Sequence, residues 1–269
     1  MDVFVVLLTV CLSGVVSLTL DDLYPYNVTS DDQLLHRNDD GSSSEILFSF
    51  PFYNNSRSSA FVNTNGDITF GNSLSQYRPS AFPLPGNYVM VAVFWTDIIT
   101  YTVGEIWYKL SSNQDLLDRA TSDVRSAFTD QTDFSSSLVF VVTWNEVPYY
   151  GASGDNLLLR NTFQIVLTTD GTKSFVMFHY YRLDWANGAL VGFNAGDGVN
   201  SYTVNGSMSD DIVNLVNRSN TGVPGKFLFR VDGVEIQPAG QNITSRYRHK
   251  IFKWDICCRK SVKRVNRWK

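Results

Sequence analysis

Asn161-Thr-Phe-Gln-Ile-Val-Leu-Thr-Thr-Asp170-Gly-Thr-Lys-Ser-Phe-Val-Met-Phe-His-Tyr180-Tyr-Arg-Leu-Asp-Trp185 is the stretch that decides the fold class. Phe163, Ile165 and Leu167 alternate with Gln164, Val166 and Thr168, which is the period of a strand. Asp170-Gly171 follows, a dipeptide that tolerates the positive φ of a tight hairpin turn. Phe175, Val176 and Phe178 then resume the β pattern, so the segment predicts a hairpin at the centre of a sheet. It contains no catalytic constellation.

Strand signals continue on both sides. Upstream, Glu45–Phe52 is a short strand ended by Pro51 and an Asn54-Asn55-Ser56 turn. Asn65-Gly66 closes a second hairpin within Ala60–Gly71. Val89–Thr96 is a nearly continuous apolar run, as expected of a strand buried on both faces. Glu105–Leu110 and Leu138–Trp144 are further strands; downstream, Ala189–Asn194, Tyr202–Val204 and Lys226–Asp232 complete the set. One helix interrupts them. Across Ser111–Asp130, Leu116, Leu117, Ala120, Val124, Ala127 and Phe128 recur at helical spacing, with Ser112 placed to cap the first turn. Many short strands with one inserted helix predict a mostly β chain, a two-layer antiparallel β-sandwich with one flanking α-helix.

Charge and cysteines are unevenly distributed over the 269 residues. From Arg246 onward ten Lys or Arg face a single Asp, so the tail carries about +9 and the preceding chain about −13 of the net −4. An acidic body does not suit nucleic acid. Cys11 lies in the first apolar segment and Cys257 and Cys258 in the basic tail, so the body must be stable without disulfides. In an exported chain, Cys257 or Cys258 would link a dimer.

Residues 1–17 read as a secretory signal peptide, with Asp2 where a basic residue is usual. Asn27, Asn54, Asn205, Asn217 and Asn242 each open an Asn-x-Ser/Thr triplet and are the N-glycosylation candidates. No later segment approaches a transmembrane span. The expected organisation is a signal peptide at 1–17, one folded domain at 18–239 and a basic, disordered tail at 240–269.

No catalytic residue is assigned. His36, His179 and His249 show no zinc-ligand spacing, and His179, within an apolar run, reads as a hydrogen-bonded sheet residue. Nucleophile-elbow and phosphate-loop motifs are absent from the sequence. A sugar hydrolase would need two facing carboxylates, for which Asp97, Glu105 and Glu146 are the candidates, each with an ordinary reading as a strand-end or turn residue. Trp95, Trp107, Trp144 and Trp185 read as core or edge aromatics rather than a carbohydrate platform. Calcium would draw on Asp184 with Asp197, or on the Asp31-Asp32 and Asp39-Asp40 pairs, which otherwise read as turn and solvated surface residues. No cofactor is expected.

The ordered series Asp40-Gly-Ser-Ser-Ser-Glu45, Val62-Asn-Thr-Asn-Gly66, Val91–Asp97, Gly104–Tyr108, Val141–Val147, Asn161–Gly171 and Gly192–Gly196 resembles the NIDO domain, the nidogen-type extracellular module. Within that family the likeness is nearest to the N-terminal region of alpha-tectorin, through Leu23-Tyr-Pro25 and Pro224–Gly233. The resemblance implies a secreted module of extracellular matrix or cell-matrix adhesion, binding matrix proteins or glycans without catalysis. It brings no catalytic residues. The other readings are a glycan-active hydrolase and a purely structural spacer. Family members continue into EGF-like, von Willebrand-type or zona pellucida modules, where this chain carries its basic tail.

Overall fold

The structure is a computed structural model that describes residues 17–241. The signal segment proper, all three cysteines, Asn242 and the basic tail lie outside them.

The strands are β1 (Gln33–Leu34), β2 (Ile46–Phe52), β3 (Asn55–Asn63), β4 (Asp67–Phe70), β5 (Val89–Trp95), β6 (Glu105–Ser111), β7 (Leu138–Val147), β8 (Asn161–Thr169), β9 (Ser174–Leu183), β10 (Leu190–Asn194), β11 (Ser201–Thr203), β12 (Lys226–Arg230) and β13 (Gln237–Pro238). Helix α1 spans Gln114–Ala127 between β6 and β7. Among the described residues they form a seven-stranded sheet ordered β1-β6-β7-β8-β9-β12-β13 and a six-stranded sheet ordered β11-β10-β5-β4-β3-β2. All pairings are antiparallel. This is the expected sandwich with its flanking helix.

Alternation explains the layers. Phe163, Ile165 and Leu167 of β8 point into the core between the sheets, where Phe140, Trp144, Val176, Phe178 and Tyr180 meet Val62, Ile68, Val91, Val93 and Phe193 of the facing sheet. Trp144 stacks on Phe163 at 5.3 Å, and Phe178 on Phe193 at 5.4 Å. Val139, Val141, Val166, Phe175 and Met177 point the other way and pack under Leu116, Leu117, Ala120 and Val124 of α1. Each such large side chain contributes roughly 1.5–3 kcal/mol on full burial. A third, smaller cluster of Leu74, Leu84, Met90, Ala92, Trp95 and Leu190 lies on the outer face of the six-stranded sheet. That is why β5 is buried along its whole length.

Local chemistry sets the turns. Gly66 has φ +85°, and a Cβ there would lie 2.1 Å from the Phe94 carbonyl oxygen, so both the turn and the close approach require glycine. The β8–β9 turn is centred on Gly171 and Thr172, with the Asp170 carboxylate accepting from the Thr172 and Lys173 N–H groups. Tyr53 and Asn54, both at positive φ, make the tight β2–β3 turn.

Several details differ from the sequence reading. Pro51 lies within β2 rather than ending it, because β2 is an edge strand whose missing donor costs no ladder bond. Asn113, not Ser112, caps α1: its Oδ1 accepts from the Asp115 and Leu116 N–H groups at 3.0 and 3.4 Å. The helix starts at Gln114, which places Asn113 and not Ser112 at the capping position. A 3-10 helix over Asp210–Asn217, burying Ile212 and Leu215, was not read from the sequence.

The polar segment after Ser17 is laid over the body and pinned there. Tyr24 is fully buried, exchanging two backbone hydrogen bonds of 2.8 Å with the Gln164 side chain of β8. The Arg119 guanidinium lies 4.1 Å over its ring. Farther on, β1 pairs with β6.

Candidate functional site

The candidate carboxylates each have their own partners. Glu105 meets Arg37 at 3.3 Å and accepts from the Trp107 indole at 3.0 Å. Glu146, at a positive φ of 50° in the β7 bulge, lies 3.9 Å from Arg182. Asp97 sits instead with Asp39 and Asp40. The tryptophans are structural, as expected: Trp95, Trp144 and Trp185 are buried, with their indole N–H groups bonded to the carbonyls of Gln76, Thr64 and Val147. Trp107 is half-buried.

His179 is buried on the helix-facing side of β9, but neither ring nitrogen has a hydrogen-bond partner, contrary to the expected hydrogen-bonded role. Burial, reinforced by Lys226 and Arg119, holds its pKa well below the usual 6.5 and keeps it neutral.

Of the calcium candidates, Asp184 is bound to Arg182 at 2.6 Å and accepts from the Arg160 N–H. Asp197 closes its own turn, accepting from the N–H groups of Val199 and Asn200. Asp32 is not a solvated surface acid. Its side chain is 1% exposed and meets Lys109, 4% exposed, at 2.9 Å. Burial would raise its pKa, but Lys109 and the donors of Thr29 and Val28 together lower it.

Asp39, Asp40 and Asp97, all half-buried, bring carboxylate oxygens within 4.8 Å of one another and could jointly hold a cation. They meet because the segment before β2, the β3–β4 turn and the end of β5 are tied together. Asn65 donates to Asp40 at 2.8 Å and accepts from the Ile98 N–H at 3.0 Å, while Thr64 N–H bonds the Gly41 carbonyl at 2.9 Å. Burial, then the charges of Asp39 and Asp40, push Asp97 up to about 6. The sequence signal was present in the motifs Asp40–Glu45, Val62–Gly66 and Val91–Asp97, but not their convergence.

Two further open clefts lie on the described surface. One of about 670 Å³ is bordered by Tyr202, Leu215, Phe227, Phe229, Asn205 and Gln241. The other, of about 410 Å³, lies at one end of the six-stranded sheet, where the β2–β3 turn, the end of β4, the start of β5 and the β10–β11 turn meet.

A sequence-family model of the nidogen-like domain matches residues 58–233, most of both sheets. The chain belongs to the nidogen-like domain family. Chicken (Gallus gallus) alpha-tectorin is 39% identical over 245 residues, covering 85% of this chain and 11% of the relative. Human alpha-tectorin is 38% identical over 257 residues, covering 88% of this chain and 12% of the relative. Drosophila melanogaster nidogen is 36% identical over 210 residues, covering 72% and 15%. The chain thus spans about a tenth of the alpha-tectorins it matches. No solved structure matches it. Within the nidogen-like domain, the polar knot around Asn65 and the 410 Å³ cleft are both built largely from the matched range. Among the described residues no helix is long and apolar enough to cross a membrane.

Proposed function

We propose that this nidogen-like domain is a secreted, non-catalytic module of extracellular matrix and cell-matrix adhesion, binding matrix proteins or glycans. The observation that carries the reading is the family match over 58–233, joined by relatives named nidogen and alpha-tectorin. The proposed domain is 18–239, with a signal peptide at 1–17 and a basic tail at 240–269. Burial of Leu18 and Ala239 supports those bounds. Export supplies N-glycans at Asn27, Asn54, Asn205, Asn217 and Asn242. The first four are exposed, as an acceptor must be, and Asn242 lies outside the described residues. A disulfide through Cys257 or Cys258 joins two copies. Contacts of Glu105 and Glu146 with arginines favour structural roles for these acids over a hydrolase pair.

The test is saturable binding of the secreted chain to cell-deposited matrix, repeated after glycosidase or protease treatment of that matrix. Saturation lost on either treatment supports the module and names its ligand class. Linear, non-saturating retention on all surfaces leaves a spacer as the better description.

A further inference from the structure

Arg57 stands apart from the other arginines. Arg37, Arg182, Arg218 and Arg230 pair with carboxylates, Arg119, Arg125 and Arg160 bond carbonyls, and Arg78 lies over the Tyr77 ring. Among the described residues Arg57 has no such partner, and its Nε is buried without a hydrogen bond. It lines the 410 Å³ cleft, a volume within the roughly 300–1,000 Å³ typical of ligand sites. Beside it, Tyr53 is 5% exposed, and its buried hydroxyl also has no partner. A buried donor left unsatisfied costs about 1–3 kcal/mol, and two such side chains border this one cleft.

The lining narrows the ligand. Asp197 lines the same cleft but makes no ion pair with Arg57, and its carboxylate accepts instead from Val199 and Asn200, including Asn200 Nδ2 at 2.6 Å. Burial lowers the Arg57 pKa, a cost that an incoming anion reverses. Asn72 and Asn87 are exposed on the rim and offer amides to hydroxyl groups, while Phe70 and Val89 supply apolar wall. The chain before Arg246 carries about −13, which repels a polyanion and leaves a single acid on an otherwise neutral glycan.

We propose that this cleft binds a carboxylate-bearing sugar unit of a matrix glycan, with the Arg57 guanidinium taking the carboxylate and Asn72 and Asn87 the ring hydroxyls. The proposal rests on the matrix-binding reading and names its ligand class. Asn54 lies on the turn beside the cleft, so the test uses the full secreted chain after enzymatic removal of N-glycans. Methyl β-glucuronide, a methyl α-sialoside, methyl β-glucoside and acetate are titrated separately by ligand-observed NMR.

The expected result is that at least one acid sugar binds about tenfold or more tightly than both glucoside and acetate. Arg57→Gln should weaken it about tenfold, a loss of about 1.4 kcal/mol. Tyr53→Phe should weaken it while leaving Tm no lower, because the hydroxyl it removes is buried without a partner in the folded chain. The proposal is overturned if neither acid sugar binds, if glucoside or acetate binds as well, or if Arg57→Gln with an unchanged Tm binds normally. Matrix binding retained by that variant, alongside failed titrations, removes the cleft and leaves the module. Matrix binding absent from the unaltered chain removes the module itself.

Discussion

Asp67 and His179 are ionisable groups placed where charge is expensive. Asp67 is fully buried on β4, with Oδ1 accepting from Asn63 at 2.6 Å and Oδ2 without a partner. Burial pushes its pKa from 3.8 to about 7 against the opposing Asn63 bond. A raised carboxyl stabilises the fold fully below 3.8, and that contribution is lost as pH rises through about 7. Asp67→Asn is therefore expected to gain about 1–3 kcal/mol at pH 8. The gain should vanish near pH 4, as read by chemical denaturation at both pH values; equal stabilities at pH 8 would contradict the assignment. His179 runs the other way. Its folded pKa is depressed, so the unfolded chain binds the extra proton and stability falls as pH drops below about 6.5. His179→Leu should lose less Tm than the natural chain between pH 7 and pH 5. An identical loss would show that other groups carry the acid sensitivity.

Short elements here depend on single contacts. Strand β1 has two residues, and beside it the Asp32–Lys109 pair ties the preceding segment to β6. Asp32→Ala strands a buried ammonium and should cost about 3–5 kcal/mol. The double change Asp32→Asn with Lys109→Met should recover most of that loss, and denaturant midpoints with unchanged m-values would measure both. For α1, Asn113→Ala removes the acceptor for two N–H groups and should cost about 1 kcal/mol in the same measurement, whereas Ser112→Ala should cost close to nothing.

Across the molecule, one core between the sheets and a second beneath α1 share the seven-stranded sheet, since alternate residues of β7, β8 and β9 feed each. Neither layer can lose its packing without the other. A fragment of residues 18–239 is expected to unfold in a single transition, with tryptophan fluorescence and far-UV circular dichroism coinciding. Two separated transitions would show that the helix layer is an independent unit.

Much of this architecture was legible in local pattern. The alternation in β8, the unbroken apolar run of β5 and the helical spacing of Leu116, Leu117, Ala120 and Val124 name the faces they bury, because side-chain direction repeats every two residues in a strand and every 3.6 in a helix. Asn65-Gly66 and Asp170-Gly171 announced turns through backbone chemistry that few other residues tolerate. Tertiary structure alone decided which strands became neighbours, since β12 pairs with β9 across a gap holding β10 and β11 of the other sheet. It also decided which polar residues were buried. Gln164 and Asp32 look solvated in sequence, yet each satisfies a partner far away in the chain, Tyr24 and Lys109. For these two, burial is acceptable because a distant segment supplies the partner. Hence the convergence of Asp39, Asp40 and Asp97, and the isolation of Arg57 beside Tyr53, could be read only after the chain had folded.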